Sequence, residues 1–209
     1  MPTPRTPPER IPSETPQLDL LGGTHTTPAE IHRLFIALMP DAATCDQFAR
    51  VADALKVSHP ALRARWIRAA RYHATLHFLG DQPMLRLDSV DAAKAAIDTI
   101  RCAPFTWTLD YAFSFHGRQP PCVLRGTQMP EPLQRLWEDL RRALTLAGQG
   151  GHIERHFTPH VTLAYSRSVM LDNVPIEPVT WQVDTLALIH SVVGQPDYHF
   201  LGRWPLVAE

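Results

Sequence analysis

Two stretches of this 209-residue chain repeat one short pattern of chemically active side chains. Tyr72 to Gly80 reads YHATLHFLG, and Pro159 to Ser166 reads PHVTLAYS. Both contain His-x-Thr-Leu, which sets His73 with Thr75 and His160 with Thr162. In an extended strand, residues i and i+2 share a face about 6.5 Å apart, so each imidazole stands beside a hydroxyl while Leu76 and Leu163 turn into the core. Two imidazoles and two hydroxyls suit phosphodiester chemistry without a metal. A neutral imidazole takes a proton from the attacking water, an imidazolium protonates the departing oxygen, and an unperturbed pKa of about 6.5 lets both forms coexist near neutrality. The hydroxyls donate to the non-bridging oxygens as charge builds there. A single half-buried histidine is more often a hydrogen-bonded packing residue. Recurrence of the whole pattern favours function.

The elements around these residues repeat as well. Arg33 to Leu38, RLFIAL, is a short apolar run that predicts a buried strand, and Cys45, Phe48, Ala52 and Leu55 at helical spacing predict a helix over 41–57. Arg65 to Arg68 reads as a short strand, Tyr72 to Leu79 as a longer one, and Leu87 to Ile100 as a second helix. Phe105 to Phe115 and the following CVLRG suggest a hairpin, and Leu133, Leu136, Trp137, Leu140 and Leu144 trace a third helix with Pro132 in its first turn. Strands follow at His160 to Tyr165, within Val179 to Val193, and from Tyr198 to Leu206. Phe35, a helix and His73 span 38 residues; Val123, a helix and His160 span 37. A two-copy repeat of this length predicts two similar lobes rather than a solenoid. The expected class is α+β, with antiparallel-rich sheets, helices outside, and a cleft between the lobes.

Composition narrows the alternatives. Twenty Lys+Arg against 21 Asp+Glu leave a net charge of −1, so a polyanion would have to be gripped locally rather than by an overall field. Only Lys56 and Lys94 of those 20 cations are lysine. Cys45, Cys102 and Cys122 lack Cys-x-x-Cys spacing, which suits a reducing compartment and argues against a cysteine zinc site. His73 with His77, and His156 with His160, have a spacing that binds zinc on helices, but both stretches read as extended and lack the accompanying glutamate. Neither a Gly-rich phosphate loop nor a Gly-x-Ser-x-Gly elbow is present. There is no apolar run of membrane-spanning length and no signal-peptide core, which points to the cytoplasm. Seven prolines fall in the first 30 residues. Residues 1–32 are therefore expected to be a disordered tail, with residues 33–209 forming one bilobal domain.

The paired motifs resemble those of the two-histidine (2H) phosphoesterase superfamily, and within it the bacterial RNA 2′,3′-cyclic phosphodiesterases, also called 2′-5′ RNA ligases. The resemblance runs from Arg33 to Leu206. It includes RLFIAL with Pro40, Trp66-Ile67, Phe78 to Gly80, Arg-x-Phe-x-Pro-His at 155–160, Tyr198, and Arg-Trp-Pro-Leu at 203–206. It implies hydrolysis of an RNA-terminal 2′,3′-cyclic phosphate to a 2′-phosphate, with His73 donating a proton to the leaving 3′ oxygen and His160 accepting one from water. Thr75 and Thr162 hold the phosphate, no cofactor or metal is called for, and the reverse reaction joins RNA ends. The implied partners are RNA 3′ ends bearing the cyclic phosphate, tRNA-derived ends among them, or nucleotides, with the protein a monomer. A small cyclic nucleotide as substrate, or a non-catalytic RNA-binding cleft, are the alternatives.

Family members often carry Arg or Lys two residues after the second-motif leucine. This chain has Tyr165 there and an arginine only at Arg167. Phe78 and Tyr165 are candidates for stacking on a base, but strict alternation would turn both into the core unless a bulge intervenes. Arg63, Arg65, Arg68 and Arg71 form a cationic run before the first motif, readable as phosphate contacts or as a solvated edge. His190 and Ser191 fall on the penultimate strand.

Overall fold

The structure, a computed structural model, describes residues 30–167 and 169–208. The Pro-rich stretch expected as a tail lies outside the described residues as far as position 29, and His32 is already the first residue of a strand. Nine strands and three helices are described. They run β1 (His32–Leu38), α1 (Ala42–Ser58), β2 (Arg65–Trp66), β3 (Ala74–Gln82), α2 (Leu87–Asp98), β4 (Phe105–Ser114), β5 (Pro121–Arg125), α3 (Glu131–Leu146), β6 (Val161–Tyr165), β7 (Val174–Val183), β8 (Thr185–Val192) and β9 (Tyr198–Pro205). The expected strand within 179–193 is two strands, broken at Asp184.

The strands form two antiparallel sheets, ordered β3-β1-β8-β9 and β2-β6-β5-β4-β7. Each sheet holds one copy of the repeat, β1 beside β3 and β5 beside β6. Register moves the equivalence by two residues from the one expected. Ala37 faces Thr75 as Val123 faces Thr162, so Ala37 rather than Phe35 corresponds to Val123.

Local chemistry explains the helices. Asp41 caps α1 by accepting from the Thr44 N–H at 2.7 Å, an interaction worth about 1 kcal/mol, and hydrogen bonding from the Thr44 side chain first and its N–H second holds the Asp41 carboxyl below its usual pKa. The predicted stripe of α3 is buried at all five positions. The helices then cross between the lobes. Phe48 of α1, from the first copy, meets Trp181 of β7 in the second sheet edge-on at 6.0 Å. Trp137 of α3, from the second copy, donates its indole N–H to the Leu76 carbonyl of β3 at 3.0 Å, and its own carbonyl accepts from His77 Nε2 at 2.9 Å. Strand β2, carried by the first copy, joins the edge of the second sheet beside β6. One core cluster therefore spans both sheets and all three helices.

Each sheet keeps a second face away from that core. On the first sheet it carries Phe35, Ala37, Ala187 and Ile189, with Met39 and Tyr198 against them. These residues line the cleft.

Candidate active site

His73 and His160 each stand one residue ahead of a strand, β3 and β6, and these two strands approach each other. Their local geometry is the same. His73 Nδ1 bonds the Arg71 carbonyl at 2.8 Å, and His160 Nδ1 bonds the Thr158 carbonyl at 2.7 Å. A carbonyl only accepts, so the proton of each neutral ring sits on Nδ1 and leaves Nε2 free for proton transfer. Aromatic rings hold both imidazoles. Phe35 packs on His73 with centroids 5.1 Å apart and Tyr198 lies edge-on at 5.5 Å, while Phe115 lies edge-on to His160 at 5.1 Å.

Burial lowers the pKa of both histidines below 6.5. His73 falls to about 4, burial outweighing the Arg71 carbonyl, and charge on His160 and Arg71 lowers it further. His160 is lowered by burial, with the Thr158 carbonyl opposing and the Arg125 charge adding. The sequence reading expected both protonation states near neutrality. Burial instead favours the neutral form of both rings in the ligand-free protein.

The two motifs share a bulge. Ala37 faces Thr75 and Ile36 faces His77, so Leu76 is an extra residue on β3. On β6, Val123 faces Thr162 and Cys122 faces Ala164, so Leu163 is extra. Each bulge leaves two successive residues on the core side, Leu76 with His77 and Leu163 with Ala164, all buried. The next residue then turns to the cleft face. Phe78 pairs with Phe35 and is 36% exposed, and Tyr165 pairs with Pro121 and is half-buried. Strict alternation thus fails at both positions, and Phe78 and Tyr165, each five residues after its histidine, become equivalent residues beside Thr75 and Thr162.

Other candidates divide. Arg65 lies opposite Tyr165 with its guanidinium 5.0 Å over the ring. Arg68 and Arg71 hold the turn between β8 and β9, Arg68 through the Pro196 carbonyl and Asp197, Arg71 through the Gln195 and Pro196 carbonyls. Arg71 also covers Tyr198 at 4.2 Å. Arg63 closes a 3-10 turn with φ 40°. Arg167 sits in an exposed bend after β6 and joins none of these contacts. His77 is fully packed against Trp137, so it does not share a face with His73. His190 is bonded to His32 at 2.9 Å, away from the paired motifs. The sequence reading missed Phe115 and Arg125. Their signal lies in register: Arg125 pairs with Tyr111, and one step beyond the Leu124 and Val161 pair lies His160. Two surface hollows, of about 340 Å³ between α1 and β7 and about 650 Å³ along α3, lie elsewhere.

Comparison with known proteins agrees with the resemblance. A family model described as LigT like Phosphoesterase matches residues 38–124, which include the first motif and end before the second. An RNA 2′,3′-cyclic phosphodiesterase of Geobacillus stearothermophilus is 26% identical over 68% of this chain. The chain spans about half of that relative's length, 48%. Escherichia coli LigT in its apo form superposes with a TM-score of 0.68 at 28% identity, over 85% of this chain and 99% of LigT. The same protein complexed with 3′-AMP gives a TM-score of 0.67 at 26% identity, over 85% and 98%. The two-sheet α+β fold is that of these LigT structures, and the chain is similar to LigT-like phosphoesterases over the matched residues. No helix among the described residues is long and apolar enough to cross a membrane.

Proposed function

We propose that this LigT-like phosphoesterase hydrolyses 2′,3′-cyclic phosphates at RNA ends, leaving a 2′-phosphomonoester and a free 3′ hydroxyl. The observation that carries the reading is the matched pair of imidazoles, each with Nδ1 tied to the carbonyl two residues back and Nε2 left free. Water attacks phosphorus as His160 Nε2 takes its proton. The bond from phosphorus to O3′ breaks, and protonated His73 delivers its Nε2 proton to O3′. Proton exchange with solvent resets both rings. Thr75 and Thr162 donate to the non-bridging oxygens, and Phe78 and Tyr165 offer rings to the flanking bases. The assignment of donor and acceptor follows the family resemblance. Run backwards with an RNA hydroxyl in place of water, the same groups exchange roles and join ends.

The relative's name and the 3′-AMP complex of E. coli LigT support RNA ends or nucleotides as partners. The test offers an oligonucleotide ending in a 2′,3′-cyclic phosphate, with a chelator present, to the wild-type, His73→Ala and His160→Ala proteins. Turnover to a 2′-phosphate that survives chelation and is lost in both variants is expected. Tight binding with no turnover by the wild type would make the protein a binding module and end the enzymatic reading. Turnover of a cyclic mononucleotide but not the oligonucleotide would move the substrate to small nucleotides.

A further inference from the structure

Arg125 is the last residue of β5, on the cleft face with Val123 and next to His160. Its guanidinium lies 5.7 Å from the Tyr111 ring centroid and 6.0 Å from that of Phe115, the ring that also packs on His160. Gly126 fixes this end of the strand, since a Cβ there would come within 2.3 Å of the Thr108 carbonyl oxygen. Arg125 is half-buried, and its Nε is buried with no hydrogen-bond partner. It takes part in none of the ion pairs among the described residues, whereas Arg33, Arg68, Arg86, Arg135 and Arg142 each have a carboxylate. A partly desolvated cation without a counter-charge costs stability, and buried polar groups normally find partners. A phosphate oxygen has the charge and geometry that this guanidinium lacks as a partner.

Resting on the phosphodiesterase reading, we propose that Arg125 contacts the phosphate undergoing hydrolysis, on the His160 side, and stabilises the negative charge that grows on its non-bridging oxygens. No sequence motif contains it. It supplies from β5 a cation that the motif itself, with Tyr165 where relatives often have Arg or Lys, does not supply. The guanidinium fork suits two oxygens of one phosphate, and the flanking rings hold the fork in place before the substrate arrives.

The test compares wild-type, Arg125→Met and Arg125→Lys proteins on a 2′,3′-cyclic mononucleotide and on an oligonucleotide ending in the same group. Loss of one such donor predicts a fall in kcat of about 10²-fold for Arg125→Met on both substrates, with part recovered in Arg125→Lys. A residue that only supports the strand would instead lower the melting temperature, whereas removing an unpaired cation leaves it unchanged or higher. Wild-type turnover with Arg125→Met within threefold of it overturns the proposal. A loss confined to the oligonucleotide also overturns it, by placing the side chain at an upstream phosphate. If Arg125→Met fails to fold, Arg125→Lys decides, a kcat equal to wild type counting against. If the wild type turns over neither substrate, the phosphodiesterase reading has failed by itself. Calorimetric binding of inorganic phosphate then tests Arg125 separately, and affinity undiminished in the variants rejects it.

Discussion

Saturating the protein with a nucleoside 2′-monophosphate should raise the pKa of His73 from about 4 to above 7. The reasoning begins with the proposed acid, which must carry a proton at neutral pH although burial strips it from the free protein. Protonating a group of pKa about 4 at pH 7 costs about 4 kcal/mol, three units at about 1.4 kcal/mol each. A phosphate charge about 4 Å away, at an effective dielectric of about 20, returns about 4 kcal/mol. Substrate and proton therefore enter together, and the acid is charged only when there is something to protonate. The assay follows the imidazole Cε1–H resonance of His73 by NMR from pH 3.5 to 8.5, with and without nucleotide, assigned by its disappearance in His73→Gln. The reasoning is refuted if His73 titrates near 6.5 in the free protein, or still titrates near 4 in the saturated complex.

A p-nitrophenyl phosphodiester, whose leaving group needs no proton, should keep most of its turnover in His73→Ala and lose it in His160→Ala, and the opposite pattern reverses the two roles. Phe78→Ala and Tyr165→Ala should each weaken nucleotide binding by about 1–3 kcal/mol while leaving inorganic phosphate affinity unchanged, since stacking acts on the base; calorimetry with both ligands reads the difference. His77 has a pKa lowered to about 4, by burial first and by the Arg141 charge, with the Trp137 carbonyl opposing. The unfolded chain binds this proton below about pH 6.5 and the folded one only near 4, so stability falls on acidification through that window by about 3 kcal/mol from this residue alone. His77→Gln, which keeps a donor for the Trp137 carbonyl, should flatten the urea midpoint against pH over that range, and a curve parallel to wild type contradicts this.

The pattern His-x-Thr-Leu, the helical stripes and the duplication were all legible in the sequence because each is a local periodicity. Nothing local announces the bulges. Whether Phe78 and Tyr165 face the cleft depends on one extra residue per motif, visible only once β1 is set against β3 and β5 against β6. Arg125 was hidden for a related reason, since its meaning comes from the neighbours it meets across β4 and from the partners it lacks. The lowering of the histidine pKa values was not legible because composition says which groups titrate, whereas desolvation is a property of packing. Arg68 and Arg71, read as possible phosphate ligands, are committed to carbonyls that come together only when the turn between β8 and β9 folds back.

The crossed helices bear on how such a site comes to be asymmetric. A single copy of the repeat would leave its sheet uncovered, because the helix it carries packs on the other sheet. Two free copies would cover each other around a twofold axis, and every substitution would appear twice, once beside each histidine. Joined in one chain, the copies are free to diverge. Around one histidine stand Arg71 and Tyr198 and around the other Arg125 and Phe115, so an exchange of helices that serves packing also leaves two equivalent residues in different surroundings.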